Sequence, residues 1–202
     1  MQQKTFEYML ENNRLRAFVR EQMEVKPLRK ATNVGNIPYA LQIACGNGSS
    51  TLQILKYFSP KRLSAVDRDG DMIALACRTH ESETVDFSVQ DVFSLSFGDN
   101  LFDAVFDLAD LHNYRDWQTG VLELKRVLKH GGLLILEELS QETFAHAAGR
   151  LFKKLTDHPY DSMLTMSGFH DFVLRNGFDI LHFEEKNPFG LLKYFVMVAR
   201  KV

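Results

Sequence analysis

Ala40-Leu41-Gln42-Ile43-Ala44-Cys45-Gly46-Asn47-Gly48-Ser49-Ser50-Thr51 is an apolar run that ends in two glycines one residue apart and passes into a segment of helical period. Glycine reaches the backbone angles of a tight turn and lets main-chain amides approach a ligand at the N-terminus of the next helix. The stretch predicts a buried strand over Ala40 to Ala44, a turn at its carboxyl end and a helix from about Thr51 to Phe58. A G-x-G pair alone fits a ligand-free strand-to-helix turn equally well, so the flanking chain must decide.

Outward from this stretch the same alternation repeats. Runs rich in Val, Ile, Leu and Phe predict strands at Arg62 to Asp67, Thr84 to Val89, Phe102 to Leu108 and Leu133 to Leu139, each continuous rather than alternating, as in a sheet covered on both faces. Helices are predicted between them at Met72 to His80 and Trp117 to Leu128, the second carrying Val121, Leu124, Val127 and Leu128 at helical spacing, with Asp116 as its N-cap and Gly131-Gly132 as its stop. The rhythm breaks at Phe178 to Glu185 and Lys193 to Arg200, which only the turn Asn187-Pro188-Phe189-Gly190 separates, so these two pair as an antiparallel hairpin. The predicted class is α/β: a seven-stranded, mostly parallel sheet with helices on both faces and a C-terminal antiparallel hairpin. Residues 1–38 predict a helical flap whose amphipathic segment, with Phe6, Met9, Leu10, Leu15, Phe18 and Val19, ends at Pro27. Residues 39–202 form the main domain, with a lid inserted at about 141–166 around Asp157-His158-Pro159-Tyr160. No internal repeat interrupts this plan.

Composition removes several classes of function. The 202 residues suit one large domain, and 45% of them are apolar, enough for a full core. A formal charge of -2 gives no broad basic field for nucleic acid or anionic lipid. With no apolar run of about 18 residues and no leader pattern behind Met1-Gln2-Gln3-Lys4, the expectation is a cytoplasmic protein without a membrane span. Cys45 and Cys77 belong to no C-x-x-C pair and cannot build a disulfide framework or a four-thiolate site.

Asp67 closes the second strand 21 residues beyond Gly46, where a carboxylate can accept both hydroxyl hydrogens of a ribose. Gln90-Asp91-Val92 follows the third strand, where Asp91 can accept from an adenine amino group while Val92 packs on the ring; a loop-capping Asp is the alternative. Three such residues at the ends of three successive strands point to one crevice at the carboxyl edge of the sheet.

Leu41 to Gly48, Val66 to Ala76, Gln90-Asp91, Phe102 to Val105 and Arg126-Val127-Leu128-Lys129-His130-Gly131-Gly132 together resemble the S-adenosylmethionine-dependent methyltransferases of the Rossmann-like class. The likeness runs from about Tyr39 to the C-terminus and is nearest the small-molecule branch that includes ubiquinone and menaquinone biosynthesis enzymes. It implies a cofactor site formed by Gln42, Ala44, Gly46, Asn47, Gly48, Asp67, Arg68, Met72, Gln90, Asp91, Val92 and Leu108, with S-adenosyl-L-methionine as the cofactor. Two positions depart from the family. Gln42 stands where an acid is usual and keeps an acceptor without the charge that favours a cation, while Ala44 adds a methyl group where the family has Gly. His130 replaces a proline and bears on the turn's rigidity alone.

The implied reaction is in-line methyl transfer to a small-molecule acceptor, in which alignment and exclusion of water carry most of the catalysis. The acceptor pocket is expected beyond the fourth strand, from Asp107 to Tyr114 including His112, roofed by the lid between Phe144 and Met166; Tyr114, His158 and Tyr160 are further pocket candidates, with surface or packing as the alternative for each. His112 is the candidate general base; a positioning or capping histidine is the alternative, since much methyl transfer needs no base. Most of the 16 Phe residues are assigned to the core, although an aromatic wall also suits a sulfonium or an apolar ring. Asp107 and Asp110 have no further oxygen ligands at a convincing spacing, so no metal is expected. Asn187-Pro188-Phe189 echoes a base-gripping motif but follows the wrong strand for it. The expected partners are a small-molecule acceptor and no nucleic acid or membrane, with a homodimer left open. A non-catalytic member of the fold and a NAD-dependent oxidoreductase remain as alternatives. The second would need a small residue where Thr51 stands.

Overall fold

Seven apolar runs pair into one sheet of order β3-β2-β1-β4-β5-β7-β6. They are β1 (Tyr39–Gln42), β2 (Arg62–Asp67), β3 (Val85–Val89), β4 (Phe102–Leu108), β5 (Leu128–Leu139), β6 (Phe178–Lys186) and β7 (Tyr194–Lys201). The computed structural model describes residues 21–32, 34–80, 82–145, 160–188 and 193–202. β1 to β5 run parallel, and β7 lies antiparallel to both β5 and β6, so the expected hairpin forms and β7 is inserted inside β6. Order reverses between β1 and β4, and the crevice of an open α/β sheet lies at such a switch point, outside the carboxyl ends of the strands.

The helices α1 (Lys26–Ala31), α2 (Ser49–Phe58), α3 (Gly70–Thr79), α4 (Trp117–Val127) and α5 (Met166–Arg175) cover both faces. Successive strand residues point to opposite sides, which sorts the core into layers. Leu41, Val105, Leu134 and Leu136 meet Val121, Leu124, Phe169 and Val173 of α4 and α5. Ala40, Phe106, Ile135 and Val198 meet Leu28, Ile54 and Phe58 of α1 and α2 on the other side. Ala65 packs with Ile73 of α3. Each fully buried Leu, Ile or Phe contributes about 1.5–3 kcal/mol of transfer free energy, so this double burial is the main source of stability.

Three expectations change at the boundaries. Pro27 does not end a helix: it occupies the first turn of α1, directly after a π-helical turn over Glu21–Val25, where a missing N–H loses no bond. Gly131-Gly132 does not stop α4, which ends at Val127; the pair lies within β5, where Phe102 faces Leu128 but Ala104 faces Leu133 across a bulge. A Cβ on Gly132 would lie 2.8 Å from the Lys129 carbonyl oxygen, so the bulge itself requires glycine. β1 ends at Gln42 rather than Ala44, because the chain turns there: Ala44 has φ +47°. The candidate lid is rooted where 3-10 turns at Gln141–Phe144 and Tyr160–Ser162 meet, with Gln141 Nε2 donating to the Tyr160 carbonyl at 2.8 Å. Residues 1–20 of the flap and His158 lie outside the described residues, as do Phe189 and Gly190 of the hairpin turn.

Lys201 closes the sheet against α4. Its buried Nζ donates to Asn100 Oδ1 at 2.9 Å and to the Lys125 and Leu128 carbonyls at 2.7 Å each, acceptors left over where α4 ends. Lys201→Met is expected to lower the unfolding free energy by about 2–3 kcal/mol, measured by urea denaturation, because it strands two main-chain carbonyls. An unchanged midpoint would contradict this role.

Candidate functional site

The crevice is assembled by Asp67. As the last residue of β2 its half-buried carboxylate accepts the Gly46 N–H at 2.8 Å through Oδ2 and the Asp69 N–H at 2.8 Å through Oδ1. Its carbonyl accepts the Gln90 N–H at 3.0 Å, so the turns after β1, β2 and β3 meet at one residue. Asp69 then caps α3, accepting the N–H groups of Asp71 and of Met72, the latter at 3.4 Å. Beside Asp67, a Cβ on Gly46 would meet nothing within 4 Å among the described residues. Gly48 is tighter, because φ is +84° and a Cβ would lie 2.4 Å from the His80 ring. Asn47 Oδ1 accepts the Ser49 N–H at 3.1 Å, which shapes the entry into α2.

The other candidate cofactor residues divide by what their side chains touch. Gln42 is fully buried, donating to Ser50 Oγ at 2.7 Å and accepting from Thr51 Oγ1 at 2.7 Å, so its amide ties β1 to α2. The expected contact between this side chain and a ligand gives way to that internal bond. Val92 is likewise turned into the core beside Leu111 and Val121, instead of offering its side chain to a ring. Asp91 is exposed and accepts the Phe93 N–H at 3.0 Å, while Gln90 accepts the Ser96 N–H at 2.9 Å. Arg68 stands over the Tyr114 ring, 5.3 Å from its centroid, and Leu108 is half-buried on the α1/α2 side of the sheet. Tyr160 is buried at the root of the insertion with its ring 4.5 Å from that of Phe144.

Across the switch point a second carboxylate organises the turn after β4. Glu138 of β5 is fully buried; its Oε1 accepts the N–H groups of Asp110 at 3.1 Å and Leu111 at 2.6 Å. Its Oε2 accepts the His112 N–H at 3.3 Å and faces His112 Nδ1 at 2.7 Å. Asp107, also fully buried, accepts the Asp110 N–H at 3.1 Å through Oδ1, while among the described residues Oδ2 has no hydrogen-bond partner. Burial first, and then the charge of Glu138, push the Asp107 carboxyl far above the usual carboxylate range. Burial also raises Glu138. Burial thus pushes both members of this carboxyl pair toward the protonated form. Burial, and then the charge of Asp67, raise Asp110 to about 6 against the pull of the Tyr114 hydroxyl, 3.5 Å away. The crevice therefore brings together Gly46, Asp67, Arg68, Asp110, His112 and Tyr114.

Sequence reasoning missed Glu138. The available signal was a pair of acids, Glu137-Glu138, closing an otherwise apolar strand, a position where a charge survives only with dedicated donors. The donor set fits an adenosylated sulfonium amino acid. Asp67 offers a carboxylate to a ribose diol, the N-terminus of α2 offers amides to a carboxylate, and the acidic rim of Asp67 and Asp110 suits a cation.

Residues 41–136 match the family model described as a methyltransferase domain. A demethylmenaquinone methyltransferase of Staphylococcus aureus is 30% identical over 133 residues, covering 65% of this chain and 55% of the relative. One of Bacteroides fragilis is 32% identical over 104 residues, covering 50% and 42%. The chain thus spans about half the length of the curated relatives it matches. Among solved structures, an S-adenosylmethionine-dependent methyltransferase of Mesorhizobium loti superposes with a TM-score of 0.73 at 18% identity, covering 90% of this chain and all of that one, a likeness of fold.

Ala44 holds a left-handed backbone angle that costs a residue with a Cβ about 1–2 kcal/mol. Ala44→Gly is expected to raise the unfolding free energy by about 1 kcal/mol once glycine's extra unfolded-state freedom is subtracted. Urea titration checks this, and a lowered midpoint would show that the methyl group packs favourably.

Proposed function

We propose that the chain is an S-adenosylmethionine-dependent methyltransferase that transfers the cofactor's methyl group to a small-molecule acceptor bound beside His112, a reading supported by the methyltransferase-domain match over residues 41–136. The observation that carries this reading is Asp67, whose carboxylate is bonded to the Gly46 turn and half exposed. S-adenosylmethionine supplies an electrophilic methyl group on a sulfonium.

The chain's own residues bind and align. Asp67 would hold the ribose hydroxyls, and Gly46 to Gly48 with the first turn of α2 would receive the amino-acid end. Asp91 and the backbone of the turn after β3 would bound the adenine. Asp110 would add negative charge beside the cation. His112, on the 3-10 turn Leu111–Asn113, and Tyr114 would face the acceptor. The substrate named for the relatives, demethylmenaquinone, makes an apolar ring system a reasonable first acceptor class. An aromatic wall is at hand in Tyr114 and Phe93, whose rings meet edge to face at 5.0 Å.

Calorimetric titration with S-adenosylmethionine, S-adenosylhomocysteine and NAD tests the assignment. The two adenosylated ligands should bind saturably, and Asp67→Ala should weaken both by about 10- to 100-fold, the loss of a charge-assisted bond. Saturable NAD binding with no response to either adenosylated ligand would overturn the reading. A panel of ring-bearing acceptors with methyl-labelled cofactor then identifies the product.

A further inference from the structure

His112 is held from two directions by one buried carboxylate. Glu138 Oε2 accepts its main-chain N–H at 3.3 Å and lies 2.7 Å from its Nδ1, while Oε1 fixes the preceding Asp110 and Leu111 amides. The side chain of Glu138 is inaccessible to solvent and that of His112 is 12% exposed, so the ring lies at the boundary between core and crevice. A turn needs its amides satisfied, but the Nδ1 contact serves no such purpose. It fixes the orientation of the ring.

We propose that Glu138 is a positioning residue for methyl transfer: it holds His112 as the Nδ1–H tautomer, so that Nε2 takes the proton from an acceptor whose attacking atom bears one. This rests on the function proposed above and goes beyond it by naming the acceptor as a proton-bearing group, a hydroxyl or an acidic C–H. The acceptor's bond to hydrogen breaks and its bond to the methyl carbon forms. The carbon–sulfur bond breaks with its electron pair passing to sulfur, and the proton passes to Nε2, giving an imidazolium balanced by the Glu138 carboxylate. Asp107 lies in the same buried cluster, its Oδ1 accepting the Asp110 N–H at 3.1 Å beside the Glu138 contact to that amide.

The groups around the ring define its pH response. Glu138 from β5 is in direct contact, and Asp110 of the same turn interacts with the ring electrostatically; Asp107 from β4, Asn113 and Tyr114 from the same turn, and Asp67 from the end of β2 surround these two carboxylates, and Arg68 from the end of β2 stands beside Tyr114.

Nitrogen-15 NMR of the wild-type protein without cofactor reads the tautomer directly. The expected result is a proton on Nδ1 and none on Nε2 of neutral His112; a neutral ring protonated on Nε2 overturns the proposal without any variant. In Glu138→Gln the ring should lose its single tautomer and its titration midpoint should fall by roughly one pH unit, as the carboxylate partner is removed. Binding of S-adenosylhomocysteine should stay within about threefold of wild type, while the rate of methyl transfer at neutral pH falls by about 100-fold, within the range assigned to a positioned base. Because Glu138→Gln removes a buried acceptor and can fail to fold, His112→Gln provides the second test. It keeps the Glu138 contacts to the main chain, and it should remove the acidic limb of the rate–pH profile. An unaltered profile in His112→Gln also overturns the proposal. Should the wild type bind no adenosylated ligand, the methyltransferase reading fails, and the tautomer still decides the role of Glu138.

Discussion

Carboxylates that accept backbone N–H groups hold the carboxyl rim of this sheet in shape. Parallel strands deliver their carboxyl ends to one edge, and the turns that follow leave amides with no ladder partner. Asp67 meets this demand on one side of the switch point by bonding Gly46 and Asp69. Glu138 meets it on the other by bonding Asp110, Leu111 and His112. With Asp67 removed, the turns after β1 and β2 lose the acceptor that sets their path; with Glu138 removed, the turn after β4 does. The two sets of bonds also differ in consequence: Asp67 is half exposed and keeps capacity for a ligand, whereas Glu138 is sealed and acts through the histidine it holds.

The same rim explains how the Gly46 turn holds Gln42 and Ala44. A neutral amide at Gln42 is fully buried and bonded at both ends to Ser50 and Thr51, so it fastens α2 to the sheet from within. Ala44 keeps the left-handed turn a glycine would make, at an energetic cost that the surrounding bonds offset: Cys45 N–H to the Val66 carbonyl and Ile43 N–H to the Phe106 carbonyl.

Much of this fold was legible because its central strands are buried on both faces. β2 and β4 lie where continuous apolar runs predict them, and the hairpin followed from the short link between its strands. Boundaries set by tertiary contacts were not legible. The bulge that absorbs Gly131-Gly132 exists because β5 starts early, at Leu128, to pair with Phe102, a long-range contact that local propensity cannot register. Pro27 reads as a breaker when the start of α1 is unknown and as a good first-turn residue once it is known. Within the site, Asp67 and Gly46 were legible from spacing alone, whereas Val92 and Gln42 changed role because one face of a strand end points into the core. Glu138 was hidden because its partners lie 26 to 28 residues away.

The account rests on a single adenosyl site at Asp67 and the Gly46 turn, facing His112 across the switch point. A crystal structure with S-adenosylhomocysteine tests it most directly. The account predicts the ribose hydroxyls on the Asp67 carboxylate, the amino-acid end at the N-terminus of α2, and the sulfur directed toward the His112 turn. A ligand bound elsewhere on the chain, or one whose sulfur points away from that turn, would contradict it.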